Sequence, residues 1–165
     1  MFDFDTLRPG VLVEPEGLIT RRKDLRRVAF TTAVGSLPRR PALMLAPETS
    51  VAFAARRLAQ AGAGAALVIC SGTLLGTISE RDVLACIAGS DGAVDLERTS
   101  VWQAMSPEPP FCLDTDSIAS ALRVMKTHGA RHLPILRADG PPVGVLDGAT
   151  IVRWLSDQLT ALILD

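Results

Sequence analysis

One stretch of this chain occurs twice, in register, and few folds accommodate that. Ser50-Val51-Ala52-Phe53-Ala54 aligns with Ser117-Ile118-Ala119-Ser120-Ala121 at an offset of 67, and Gly62-Ala63 falls on Gly129-Ala130 in the same register. One inserted residue then raises the offset to 68. Gly72 meets Gly140, and Gly76-Thr77-Ile78-Ser79-Glu80-Arg81-Asp82 meets Gly144-Val145-Leu146-Asp147-Gly148-Ala149-Thr150. Two copies of one supersecondary unit imply two related bodies that cover each other's apolar faces, with a pseudo-symmetric groove between them.

Each copy reads as β-α-β-β-α. Ser50 and Ser117 are good helix N-caps. Apolar residues follow at helical spacing (Val51, Ala54, Leu58; Ile118, Ala121, Leu122, Met125) until Gly62 and Gly129 supply the stop. Two short apolar strands come next, Ala65 to Cys70 with Thr73 to Ile78, and His132 to Leu136 with Val143 to Leu146, each pair joined by a glycine-containing turn. A second helix is expected from Glu80 to Ala88 and from Gly148 to the C-terminus. Extended stretches at Ala42 to Ala46 and Pro110 to Leu113 precede the first helices. The expected fold class is α/β, two tandem β-α-β-β-α units packed as a pseudo-symmetric pair. We divide the chain into an N-terminal extension (1–40), a first unit (41–104) and a second unit (105–165), with the repeat starting at Pro41. Within the extension, Leu18 to Phe30 is expected to be a helix capped by Thr20, with a basic face of Arg21, Arg22, Lys23, Arg26 and Arg27.

Composition limits the function classes. The 165 residues are 48% hydrophobic and 21% charged with a net charge of −1, which does not suit a nucleic-acid binder, and aromatics for base stacking are scarce at 4%. The longest apolar runs fall short of the roughly 20 residues that span a bilayer, and the first residues lack a basic leader, so a cytoplasmic protein without membrane association is expected. Cys70, Cys86 and Cys112 are odd in number, widely spaced and set in apolar sequence, which predicts buried free thiols and neither disulfides nor a zinc site. His128 and His132 have i, i+4 spacing, but Gly129 and Pro134 break the helix that would align them on a metal.

The chemistry concentrates at Ser79-Glu80-Arg81-Asp82. As plain structure, Ser79 caps a helix and Asp82, three residues on, completes a capping box with Asp in the Glu place. The same geometry suits a ligand: free N–H groups and the positive helix end attract phosphate, and a carboxylate in the first turn can accept two hydroxyl hydrogens from a ribose diol. Both readings stand on the motif alone.

The tandem G-x-x-S-x-x-D strand-to-helix motif at Gly76 to Asp82, the segment Val101-Trp102-Gln103-Ala104-Met105-Ser106 leading into the second copy, and the strand Arg131-His132-Leu133-Pro134-Ile135 together resemble the CBS domain, named for cystathionine β-synthase. The resemblance covers Pro41 to about Leu159. It implies a regulatory ligand-binding module and not a catalyst, with clefts that take AMP, ADP, ATP or S-adenosylmethionine and no covalent cofactor. It further implies that Asp82 holds the ribose hydroxyls, Ser79 contacts ribose or phosphate, Arg81 approaches the phosphate, and Met105, Pro110 and Ala130 of the other unit wall the adenine.

The second copy departs from the pattern. Asp147 stands in place of Ser79 and Thr150 in place of Asp82. A carboxylate at the helix mouth repels phosphate, and a threonine hydroxyl is a poorer partner for a ribose diol. Arg131 and His132, at positions where the family has phosphate-contacting residues, are expected to serve this second cleft, while Gly64 and Ala65 occupy the equivalent positions of the first copy. The two clefts are then complementary in their defects, one with the ribose anchor and the other with the basic pair. The main expectation is an adenosine-nucleotide sensor acting on a partner protein through a homodimer; the alternative is a ligand-free dimerisation or protein-interaction module. The dimer face is expected on Ala85, Ile87, Val152, Trp154, Leu155, Leu159 and Leu162. Without a paired base, a nucleophile or a metal spacing, no catalytic residue is assigned.

Overall fold

The computed structural model describes residues 26–38, 41–89, 94–138 and 140–164. Residues 26–31 are helical (α1), which meets the end of the helix expected from Leu18 to Phe30; the rest of that segment lies outside the described residues. A single 3-10 turn, Val34–Ser36, follows. The first unit comprises β1 (Met44–Leu45), α2 (Val51–Ala61), β2 (Ala65–Cys70), β3 (Thr73–Ser79) and α3 (Glu80–Ala88). After α4 (Val101–Ala104) and β4 (Ser106–Pro107), the second unit runs β5 (Cys112–Leu113), α5 (Ile118–His128), β6 (His132–Leu136), β7 (Pro142–Asp147) and α6 (Gly148–Leu164).

The repeat is visible in local detail. Ser50 Oγ accepts from Phe53 N at 3.2 Å and Ser117 Oγ from Ser120 N at 3.1 Å, so both first helices start on the same cap. Both end on a left-handed glycine, Gly62 at φ 56° and Gly129 at φ 63°, a conformation that a side chain would strain. In each unit the first strand runs parallel to the second, which is antiparallel to the third. The register slips at equivalent points, between Val68 and Ile69 and between Ile135 and Leu136.

The segments leading into each unit pack on the other unit. Val51 N donates to Thr99 O and Val101 N to Thr49 O; in the second unit Ile118 N donates to Thr32 O and Val34 N to Asp116 O. These bonds map onto each other at the offset of 67. Equivalent contacts therefore extend back to Val34, ahead of Pro41. Val34 and Leu37 are buried in the second unit's core with Ile118, Leu133, Ile135, Leu146 and Trp154. Val101 is buried in the first unit's core with Val51, Leu58, Val68 and Ile78. The strand β4 extends the first sheet to the order β1-β2-β3-β4, whereas the second sheet is β5-β6-β7. Fully burying one Leu, Ile or Val contributes about 1.5–3 kcal/mol, so these reciprocal hooks bind the units as firmly as core residues do.

Two expectations about apolar residues are corrected. Trp154, assigned to a dimer face, turns into the second core at 8% exposure, and Leu155 packs against the same core. Among the cysteines only Cys112 is buried; Cys70 ends β2 at an exposed turn and Cys86 is half-buried on α3. All three are free. Burial, with a smaller contribution from Asp116, pushes the Cys112 thiol up to about 12.

Candidate functional site

Two clefts of similar size, about 380 and 390 Å³, open between the units, each large enough for a small ligand. Each takes its strand-to-helix corner from one unit and its opposite wall from the other. The first joins Ser79–Asp82 to Ser106–Pro110 and to His128–His132. The second joins Asp147, Ala149, Thr150 and Arg153 to Pro38, Pro41–Leu43 and Gly62–Ala65.

At the first corner the capping box forms in full. Ser79 Oγ accepts from Asp82 N at 3.3 Å, while Asp82 Oδ2 accepts from Ser79 N at 2.7 Å and from Ser79 Oγ at 2.6 Å. The other carboxylate oxygen, Oδ1, accepts from Ser106 Oγ at 3.1 Å. The structural role does not exhaust the group. Three donated hydrogens leave lone-pair capacity on a carboxylate with about four acceptor sites, held rigid by the helix start. Ser106 was not singled out from the sequence. It sits on β4, whose pairing of Thr77 with Ser106 brings the hydroxyl to Asp82, and a two-residue strand between proline-rich loops carries no periodic signal.

The second corner is built otherwise. Asp147 Oδ1 accepts from Thr150 N at 2.7 Å, an ordinary N-cap. Its carboxylate therefore lies at the helix mouth, where an anion would otherwise bind.

Of the residues expected at the first cleft, Ser79, Arg81, Asp82, Pro110 and Ala130 line it. Met105 does not. It packs on the first core, its Sδ so close to Gly76 that a Cβ there would come within 2.6 Å. Asp147 and Thr150 line the second cleft as expected. The basic pair is corrected: Arg131 lines the Asp82 cleft and not the Thr150 cleft, and His132 lines both. The cause is the docking of the units, which turns the start of β6 toward the opposite unit's corner. Asp82 and Arg131 therefore line one cleft and not two. Arg153, which was not singled out, faces the second cleft.

Among the described residues neither Arg81 nor Arg131 enters an ion pair. His132 is half-buried, its ring against Gly64, where a methyl would meet Cε1 at 2.9 Å. Burial lowers its pKa below the ordinary imidazole value; Asp147, Glu80 and Asp82 oppose that shift and Arg131 adds to it.

Residues 34–89 and again 100–157 match the CBS domain. An uncharacterized 17.7 kDa protein of Acidianus ambivalens is 26% identical over 132 residues, 79% of this chain and 77% of its own length. Among solved structures, the CBS-domain containing protein ATU1752 of Agrobacterium tumefaciens superposes with a TM-score of 0.67 at 25% identity, over 75% of this chain and 99% of that one. CBSX2 in complex with AMP superposes with a TM-score of 0.63 at 27% identity, over 76% of this chain and 96% of that one. The doubled match, each starting where the reciprocal hooks begin, and the fit of the whole pair to such structures show that the chain belongs to the CBS domain family, as a tandem pair.

Proposed function

We propose that this protein is a regulatory module that binds one adenosine-type ligand per chain in the Asp82 cleft, of the class AMP, ADP, ATP or S-adenosylmethionine, and passes occupancy to a partner protein as a homodimer. One observation carries the reading. A preorganised carboxylate, a capped helix start and two arginines without ion-pair partners, Arg81 and Arg131, converge on one 380 Å³ cleft. The roles follow: Asp82 accepts the ribose hydroxyls, Ser79 and the helix start meet ribose or phosphate, Arg81 and Arg131 neutralise phosphate, and Pro110 and Ala130 lie against the base. That CBSX2 has been seen in complex with AMP supports this class of ligand. Free Cys70, with its exposed thiol, fits a reducing, cytoplasmic setting.

A second reading, interaction without ligand, draws on the exposed apolar residues of the outer helices, Leu84 and Ile87 on α3 with Val152 and Leu159 on α6. Leu84 and Val152 are equivalent at the offset of 68, so the stripe runs across both units. A self-complementary stripe suits a two-fold dimer. Calorimetric titration with AMP, ADP, ATP and S-adenosylmethionine separates the two readings. The first expects saturable binding near one ligand per chain, and at a hundredfold Kd a gain of about 2.7 kcal/mol in stability. Failure of all four to bind leaves the second.

A further inference from the structure

The two clefts share a wall: Gly64, Ala65 and His132 line both. At the offset of 67, Gly64 and Ala65 are the counterparts of Arg131 and His132. The shared wall thus lies where the repeat would make the units alike and the side chains make them unlike. One imidazole occupies it, seated on the bare backbone of Gly64.

Charges from both sides act on that ring. Glu80 and Asp82, on α3, reach it from the Asp82 cleft; Asp147, its strand partner across β6 and β7, reaches it from the Thr150 cleft; Arg131 precedes it in the chain. Arg153 on α6 completes the charged lining of the Thr150 cleft. Arg81 and Glu108 complete that of the Asp82 cleft, which His128 also lines. Among these groups Arg131 disfavours an imidazolium beside it, and Asp147, Glu80 and Asp82 favour one.

We propose that His132 links the two clefts: a phosphate-bearing ligand in the Asp82 cleft draws a proton from solvent onto its imidazole, and the imidazolium then offsets the charge of Asp147, admitting an anion to the Thr150 cleft. The link rests on the Asp82 cleft being the ligand site. Burial is the main cause that keeps the ring neutral; a phosphate beside Arg131 cancels the smaller part that this cation adds and joins the carboxylates that favour the ring's charge. The bound state therefore has the higher pKa. Ligand affinity falls as pH rises through that value, by up to about tenfold per pH unit for one proton. A nucleoside without phosphate brings no such effect. By reciprocity, an anion in the Thr150 cleft tightens phosphate binding in the other.

The test is calorimetry of the full chain with AMP and with adenosine, in two buffers of different ionisation heat, between pH 7 and 8, where the nucleotide phosphate (pKa about 6) is already a dianion. Wild type is expected to take up protons with AMP and none with adenosine. His132→Gln is expected to bind AMP in the Asp82 cleft without that uptake, and His128→Gln, which removes the only other histidine, to retain it. A second, weaker AMP equivalent is expected in wild type, weakening by up to about tenfold from pH 7 to 8, and absent in His132→Gln. AMP binding to wild type without proton uptake, uptake unchanged in His132→Gln, or a second equivalent indifferent to pH overturns the link while leaving the Asp82 site intact. Failure of wild type to bind AMP overturns both. The wild-type arms need no variant, so misfolding of His132→Gln does not remove the test.

Discussion

Replacing Asp82 separates its capping role from the ligand role proposed for it, because the chain supplies its own control in Asp147. Asp82→Ala removes the acceptor of Ser79 N, Ser79 Oγ and Ser106 Oγ, at 2.7, 2.6 and 3.1 Å. A lost capping contact costs about 1 kcal/mol and a partly solvated hydroxyl bond about 0.5 kcal/mol more. For a domain of this size each kcal/mol lowers Tm by roughly 2–4 °C, so a fall of about 3–6 °C is expected. Asp147→Ala removes one bond, from Thr150 N at 2.7 Å, and is expected to lower Tm by about 2–4 °C. Binding parts the two variants. Two ribose hydrogen bonds to a charged acceptor contribute about 1.5–3 kcal/mol each, so Asp82→Ala should weaken AMP more than about 100-fold. Asp147→Ala, which acts on the Asp82 cleft only through His132, should leave the tight AMP site within about tenfold of wild type. Titration calorimetry and thermal melts on the same preparations measure both quantities. If Asp82→Ala binds AMP as wild type does, or the two variants lose AMP equally, the assignment of the ribose anchor is wrong.

Three further outcomes are expected. The double change Asp147→Ser with Thr150→Asp keeps a cap on α6 and restores a ribose acceptor, so calorimetric stoichiometry at moderate AMP should rise from about one toward about two per chain; a wild type already saturating at two equal sites would refute this. Light scattering should give twice the mass of the chain, and Leu84→Asp with Val152→Asp, at side chains 65% and 62% exposed, should give monomers with an unchanged circular dichroism spectrum; a wild-type monomer would refute the dimer. Because burial raises the Cys112 thiol from 9.0 to about 12, its neutral form favours the folded state below pH 9, and that contribution is lost as the unfolded thiol ionises between about pH 9 and 12. Urea unfolding at rising pH should show wild type losing stability relative to Cys112→Ala over that range, and a constant gap would refute it.

The sequence by itself determined whatever depends on residues near one another in the chain. Ser50 and Ser117 cap their helices, Gly62 and Gly129 end them, and Ser79 and Asp82 close a capping box, because each contact spans three or four residues and follows from side-chain type and spacing. The alternation and length of the apolar runs located β2, β3, β6 and β7 to within a residue or so. The offset of 67 implied a pair, since two half-covered units need each other's apolar faces. Tertiary structure alone decided how the halves interlock. Whether Arg131 lines the cleft of Asp82 or that of Thr150 depends on the direction in which one unit docks on the other, which brings residues 49 apart in the chain to one cleft and which no local rule reports. The same docking laid Met105 against the first core, carried Ser106 across to the Asp82 carboxylate, and drew Val34 and Val101 into the opposite units. It also set one imidazole, His132, on Gly64 in the wall that both clefts share, where long-range packing and not local preference chose what each ionisable group would meet.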